Sequence, residues 1–196
     1  MVSQDILRQR ESGLGLGTLP NSLSAARIAA SAILAVSVLG SWSPFAACAI
    51  CIAAAGSDFL DGYLARQRCQ ASHFGAILDP VADKIFVVTA LVLLSHTRRI
   101  EGMAFWAVLV IIWRELAVAG FRTGRRASGV MEAVSGLAKL KTAIQYLAVI
   151  LLFAAQLPSL AVARIGEIGQ GTLWVAAGLS AITGASYLVD WRRTWK

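Results

Sequence analysis

The sequence predicts an all-α integral membrane protein with six transmembrane helices and an N-terminal interfacial helix. Three observations predict it. Hydrophobic residues make up 57% of the 196-residue chain and charged residues only 15%, where a soluble domain carries about 25% charged residues. The apolar residues gather into six runs, each near the length of about 20 residues that a helix needs to cross roughly 30 Å of hydrocarbon. Most of the Lys and Arg residues fall on one side of those runs, as the positive-inside rule requires of a polytopic protein.

One domain is expected, a six-helix membrane domain over 22–196, preceded by an N-terminal cytoplasmic or interfacial segment over 1–21. In that segment, Val2, Ile6 and Leu7 can lie against lipid with Arg8 and Arg10 at the headgroups, which suits an interfacial helix. The segment lacks the apolar core of a secretory signal, so no cleavable signal peptide is expected. "GLGLG" makes a flexible joint, and Pro20 with Asn21 suits the start of the first span, Asn21 or Ser22 being the cap. The spans are expected at 22–39, 44–64, 74–95, 103–121, 137–156 and 171–189.

With the N-terminus in the cytoplasm, Arg8, Arg10, Arg66, Arg68, Arg122, Arg125, Arg126, Lys139, Lys141, Arg192, Arg193 and Lys196 all lie inside. Arg98, Arg99 and Arg164 fall outside, "HTRR" at 96–99 being the exception to the rule. Both termini are therefore expected in the cytoplasm. The formal net charge of +7 would raise the question of nucleic acid in a soluble protein. Here it reads as topology and contact with anionic lipid, and no nucleic-acid partner is expected. Cys48 and Cys51 form a C-x-x-C inside an apolar run with no second ligand pair, so they read as small buried hydrophobes rather than a redox or zinc motif.

The residues that carry chemistry lie between the second and third spans, in "SDFLDGYLARQRCQASHFGAILDPVADK". Asp58, Asp61, Gly62 and Ala65 stand at i, i+3, i+4 and i+7, and Gly75, Asp79 and Asp83 at i, i+4 and i+8. Each set occupies one face of a helix. Two antiparallel helices joined by the polar turn "RQRCQASH" could aim all four carboxylates at one another. An ionised Asp costs about 2.5–3.5 kcal/mol at the centre of a span and less near the interface. Two like charges about 4 Å apart repel by about 4 kcal/mol at an effective dielectric near 20. Arg66 and Lys84 cannot cancel four negative charges, and Lys84 stands about 100° from Asp83 around a helix. Divalent cations would supply the missing charge. All-oxygen donors select hard ions, Mg²⁺ first and Mn²⁺ second.

Single aspartates also serve as helix caps or surface ion pairs; Asp79 before Pro80 resembles an N-cap with Pro at N1. If the third helix starts near Phe74, Pro80 bends it; if it starts at Asp79, Gly75 lies in the turn. Two ions side by side can clamp a diphosphate and stabilise the attacking and leaving oxygens of a displacement. Gly62 and Gly75 would let a substrate approach the backbone, unless they serve helix packing. Arg66 could neutralise phosphate charge.

The pattern Asp58-x-x-Asp61-Gly62-x-x-Ala65-Arg66, eight residues, Gly75-x-x-x-Asp79-x-x-x-Asp83 resembles the signature of the CDP-alcohol phosphatidyltransferases. The resemblance implies a six-helix membrane enzyme, usually a homodimer, that joins a CDP-activated lipid to an alcohol and releases CMP. It implies that Asp58, Asp61, Asp79 and Asp83 ligate two metal ions, that Asp83 is also the base for the acceptor hydroxyl, and that Gly62, Ala65, Arg66 and Gly75 line the CDP site. "LPNSLSAARI", "DPVADK", "WREL" with Arg122 following, and "KLKTAIQ" are similar to the branch using CDP-diacylglycerol and sn-glycerol 3-phosphate. The chain departs from that branch at Ala138 and over 127–138. The implied location is a bacterial inner (cytoplasmic) membrane, with the active site on the cytoplasmic side.

The residues agree on the kind of acceptor. Arg114 lies inside the fourth span, Arg122 about two turns further, and Lys139 and Lys141 begin the fifth. A basic pocket of these four would suit an acceptor carrying a phosphate; the alternative is positive-inside topology plus an Arg114–Glu115 or Arg114–Asp pair. His73 and His96 receive no role. Rival readings are the same chemistry on inositol phosphate, serine or phosphatidylglycerol, a divalent-cation transporter, and a non-catalytic membrane scaffold.

Overall fold

The computed structural model describes residues 19–41, 43–64, 75–127, 136–158 and 164–194, with side chains over 25–41, 43–58, 84–121, 136–158 and 164–185. Among these residues the chain forms six helices and no strand: α1 (Leu19–Leu39), α2 (Pro44–Leu64), α3 (Gly75–His96), α4 (Ala104–Ala127), α5 (Gly136–Ala154) and α6 (Ile165–Thr194). The expected N-terminal interfacial helix lies outside the described residues.

Local chemistry sets the boundaries. Helix α1 (Leu19–Leu39) includes Pro20 and Asn21, so neither Asn21 nor Ser22 is its cap. Between α1 and α2, Ser41 takes a left-handed conformation (φ 55°). Ser43 then caps α2: its Oγ accepts from the Phe45 N–H at 3.2 Å, with Pro44 at the first helical position. Helix α3 starts at Gly75, which settles the choice left open by Pro80. The proline lies inside the helix and removes one backbone bond there, and Asp79 is a helical residue, not a cap.

The end of α3 explains "HTRR". Arg98 is left-handed (φ 56°), its N–H bonds to the Ser95 carbonyl at 3.1 Å, and the Arg99 N–H reaches back to Leu94 O at 2.9 Å. This is the Schellman arrangement of a helix C-terminus, built here without glycine.

Helices α4 and α6 run past their expected ends. Helix α4 continues through Arg122, Arg125 and Arg126, because arginine is a strong helix former once the apolar stretch has ended. Helix α6 begins at Ile165, taking in the glycine-rich "IGEIGQG". Gly169 lies so close to α5 that a Cβ there would stand 3.0 Å from Leu152 Cδ2. That packing holds a weak helix-forming stretch in register.

Helix α6 packs along α5 and α4, α1 packs along α3 and α2, and α2 also meets α5. Leu34, Cys51, Phe86, Ala90, Leu94, Ile111, Phe153, Leu173 and Ala176 form a shared buried core. Phe86 and Tyr146 stack with ring centroids 6.0 Å apart. Cys48 and Cys51 are buried free thiols, as expected of small hydrophobes.

The outer faces are apolar too. Trp113 (74% exposed), Met103, Phe45, Ile182, Leu39 and Trp106 all point outward, and helices apolar all round are the mark of a membrane or a large buried core. Ala104–Phe121 in α4 and Gly136–Ala154 in α5 are long and apolar enough to cross a membrane. Hydroxyls within the helices bond to their own backbone: Ser31 to Arg27 O at 2.8 Å, Ser37 to Ile33 O at 2.7 Å and Ser95 to Leu91 O at 2.9 Å. Such self-satisfaction suits surroundings without water.

Candidate active site

Two groups of polar residues interrupt the apolar helices. The first begins with Asp58 on α2, two turns before that helix ends. Its carboxylate is partly buried and pairs at 2.9 Å with the Arg27 guanidinium of α1. Asp61 and Gly62 follow in the last turn of α2, while Asp79 and Asp83 lie in the first half of α3. The helical spacing read from the sequence is thus realised in backbone from Asp58 to Gly62 and from Gly75 to Asp83, and α1 and α5 each pack against both aspartate-bearing helices. The side chains of Asp61, Asp79 and Asp83, together with all of Ala65, Arg66 and His73, fall outside the described residues. Among the described side chains no three metal-ligating groups converge. Between α1 and α2 lies a mostly apolar cavity of about 220 Å³ lined by Ala26, Ala30, Ile33, Ile50, Ala53 and Ala54, with Arg27 and Ser57 as its polar members.

The second group centres on Glu115 of α4, 1% exposed. Its Oε2 pairs with Lys84 of α3 at 3.0 Å, and its Oε1 accepts from Arg114 Nη1 at 3.1 Å and from the Lys141 ammonium of α5. Gln145, one turn beyond Lys141, aims its amide at the same oxygen at 3.4 Å and donates to Ser180 Oγ of α6 at 3.2 Å. Arg114 also donates to Thr183 Oγ1 of α6 at 3.0 Å. The Thr183 hydroxyl can accept because its own proton goes to Leu179 O at 2.7 Å. Gly184 admits the arginine stem, since a Cβ there would stand 2.9 Å from Arg114 Cγ. Charge and hydrogen bonding therefore join α3, α4, α5 and α6 at one buried place.

Arg114 and Lys141, both candidate phosphate ligands, thus meet on one carboxylate. The Arg114–Glu115 pair weighed as the alternative to a pocket is present as well, within a larger cluster. Lys139, about 200° from Lys141 around α5, is exposed. Arg122 lies on α4 two turns beyond Arg114, its side chain outside the described residues. His96 is exposed at the far end of α3 from Asp79 and Asp83.

Sequence reasoning missed Lys84, Glu115, Gln145, Ser180 and Thr183 as members of a site. The available signal was spacing: Lys141 and Gln145 at i, i+4, and Ser180 and Thr183 at i, i+3, put polar groups on one face of otherwise apolar helices.

Comparison with known proteins gives a consistent result. Residues 17–182 match the family model described as CDP-alcohol phosphatidyltransferase. The chain is 38% identical over 194 residues to the CDP-diacylglycerol–glycerol-3-phosphate 3-phosphatidyltransferase 2 of Arabidopsis thaliana, covering 91% of this chain and 80% of that one. It is 33% identical over 183 residues to the enzyme of the same name, without the number, from Bacillus subtilis (strain 168), covering 86% and 92%. It is 37% identical over 194 residues to a cardiolipin synthase (CMP-forming) of Oryza sativa subsp. japonica, covering 91% of this chain and 58% of that one. For two further relatives the match spans 63% of the relative's length.

Proposed function

Because this chain belongs to the CDP-alcohol phosphatidyltransferase family, we propose that it transfers the phosphatidyl group of CDP-diacylglycerol to sn-glycerol 3-phosphate, giving phosphatidylglycerophosphate and CMP. The relatives named for this reaction support the substrates. The observation that carries the phosphate-bearing acceptor is the convergence of buried Arg114 and Lys141 on the carboxylate that also holds Lys84, the chain neighbour of Asp83. Cations suited to a phosphate thereby adjoin the helix that carries the proposed base.

In this reading the glycerol 1-hydroxyl oxygen attacks the lipid-bearing phosphorus in line. A new O–P bond forms, the P–O bond to CMP breaks, and CMP departs with its electron pair. Asp83 takes the hydroxyl proton. Arg114, Arg122 and Lys141 bind the acceptor phosphate and orient the hydroxyl, while Lys139, exposed on the other face of α5, stays outside that group. Gly62, Ala65, Arg66 and Gly75 line the CDP site, the glycines leaving the backbone open to the nucleotide diphosphate. The cavity between α1 and α2 suits an apolar part of the donor lipid.

The family uses divalent metal ions. What supports that use here is the donor chemistry, four aspartates spaced along α2 and α3, since carboxylate oxygens suit hard ions. Asp58, Asp61, Asp79 and Asp83 would hold two ions, Mg²⁺ or Mn²⁺, which when bound supply positive charge to the diphosphate and the leaving oxygen.

The six helices are the six proposed spans, in a domain over 22–196 preceded by an interfacial segment over 1–21. Both termini and the active site face the cytoplasm of a bacterial inner membrane, and the enzyme works as a homodimer in the bilayer. The likeness to a cardiolipin synthase favours one second reading, phosphatidylglycerol as acceptor. Purified protein supplied with CDP-diacylglycerol, Mg²⁺ and one acceptor at a time should release CMP with glycerol 3-phosphate. Release only with phosphatidylglycerol would overturn the acceptor, and no release with any acceptor would overturn the transferase reading.

A further inference from the structure

The Glu115 carboxylate divides its two oxygens between different helices. Oε2 faces Lys84 of α3, whereas Oε1 receives Arg114 of its own helix and Lys141 of α5. Among the described residues, three cations meet on this one carboxylate, at a place where Glu115 and Lys141 are each 1% exposed. Without the shared counter-charge, those cations would repel one another in surroundings that screen poorly. Gln145 passes the same contact on to Ser180, so the carboxylate is hydrogen-bonded into the bundle and not free to turn. Lys84 follows Asp83 directly on α3, and whatever fixes Lys84 fixes the register of that turn.

We propose that Glu115 is a positioning residue. It ties the α3 turn carrying Asp83 to Arg114 and Lys141, and so sets the separation between the proton acceptor and the cations that receive the acceptor phosphate. It acts through the residues it holds and touches no substrate itself. This rests on the reading of the site as a phosphatidyltransferase with a phosphate-bearing acceptor.

A carboxylate with this task should act on the acceptor and leave the donor alone. Glu115→Gln keeps the shape and one acceptor oxygen but removes the charge that three cations share. KM for glycerol 3-phosphate should rise about tenfold, a shift within the range of coupling between contacting residues, with KM for CDP-diacylglycerol within about twofold of wild type by the same measure. Glu115→Asp retains the charge and should recover part of the loss. A merely structural role would lower the active fraction and the thermal midpoint while leaving both KM values in place.

Should Glu115→Gln fail to fold, Lys84→Met leaves the carboxylate with two cationic partners and is read in the same way. A selective rise in acceptor KM supports the inference in either variant. Unchanged KM values, or equal changes in both, overturn it. All variants are assayed with whichever phosphate acceptor the wild-type protein uses. A wrong acceptor assignment then shows in the wild type, whereas a wrong role for Glu115 shows only in the variants.

Discussion

Gly184→Ala separates the acceptor site from the stability of the bundle. A methyl carbon at 184 would stand 2.9 Å from Arg114 Cγ, about 0.6–1.1 Å inside the usual separation of non-bonded carbons. Cγ lies near the root of the side chain, so the guanidinium must move with it. Its bonds to Thr183 Oγ1 at 3.0 Å and to Glu115 Oε1 at 3.1 Å would stretch past useful range. Overpacking of this kind costs about 1–3 kcal/mol, and replacing a helical glycine by alanine returns about 1 kcal/mol. The fold should therefore lose at most about 2 kcal/mol. A displaced Arg114 forfeits a hydrogen bond to a charged acceptor, about 1.5–3 kcal/mol, or about 10- to 150-fold in KM for glycerol 3-phosphate.

The assay is CMP release in mixed micelles at saturating CDP-diacylglycerol with the acceptor varied, alongside thermal unfolding followed by tryptophan fluorescence. Gly178→Ala is the control, since a Cβ at that position of α6 meets nothing within 4 Å. A Gly184→Ala protein with wild-type KM for glycerol 3-phosphate would refute the placing of Arg114 at the acceptor.

Other changes test separate parts of the account. Asp83→Asn should lower kcat by about a hundredfold or more, the usual contribution of a general base, and near-normal turnover with metal present would remove Asp83 from that role. Gly169→Ala puts a Cβ 3.0 Å from Leu152 Cγ and 3.3 Å from Leu151 Cβ, so the thermal midpoint should fall while both KM values hold. Arg98→Gly relieves a left-handed arginine at the end of α3 and should stabilise the protein by about 1 kcal/mol with no change in activity; a lower midpoint would mean that the Arg98 side chain matters more than its backbone.

Much of this was legible in the chain because the signals were local. The start of α2 follows from Ser43 and Pro44, and the aspartate faces from spacings of three and four. The ends of α4 and α6 were not legible. Apolarity marks what can sit in lipid, whereas the helix goes on as long as its residues favour helix, as Arg122, Arg125 and Arg126 do, or as long as a neighbour packs on it, as α5 does on Gly169. The Glu115 cluster was hidden for a different reason. Its members come from four helices, and beside Arg114 the glutamate looked like half of a local pair. Lys84 illustrates the limit: its 100° offset from Asp83 was visible and argued only that it could not neutralise that face. The same offset is what lets it reach Glu115.

The central claim is that the acceptor's hydroxyl takes the phosphatidyl group. Isotopically labelled glycerol 3-phosphate, incubated with the purified protein, CDP-diacylglycerol and Mg²⁺, tests it by mass spectrometry of the lipid product. Labelled phosphatidylglycerophosphate should form in equal molar amount to CMP. CMP formed with the label left in water, the donor having been hydrolysed to phosphatidic acid, would contradict it.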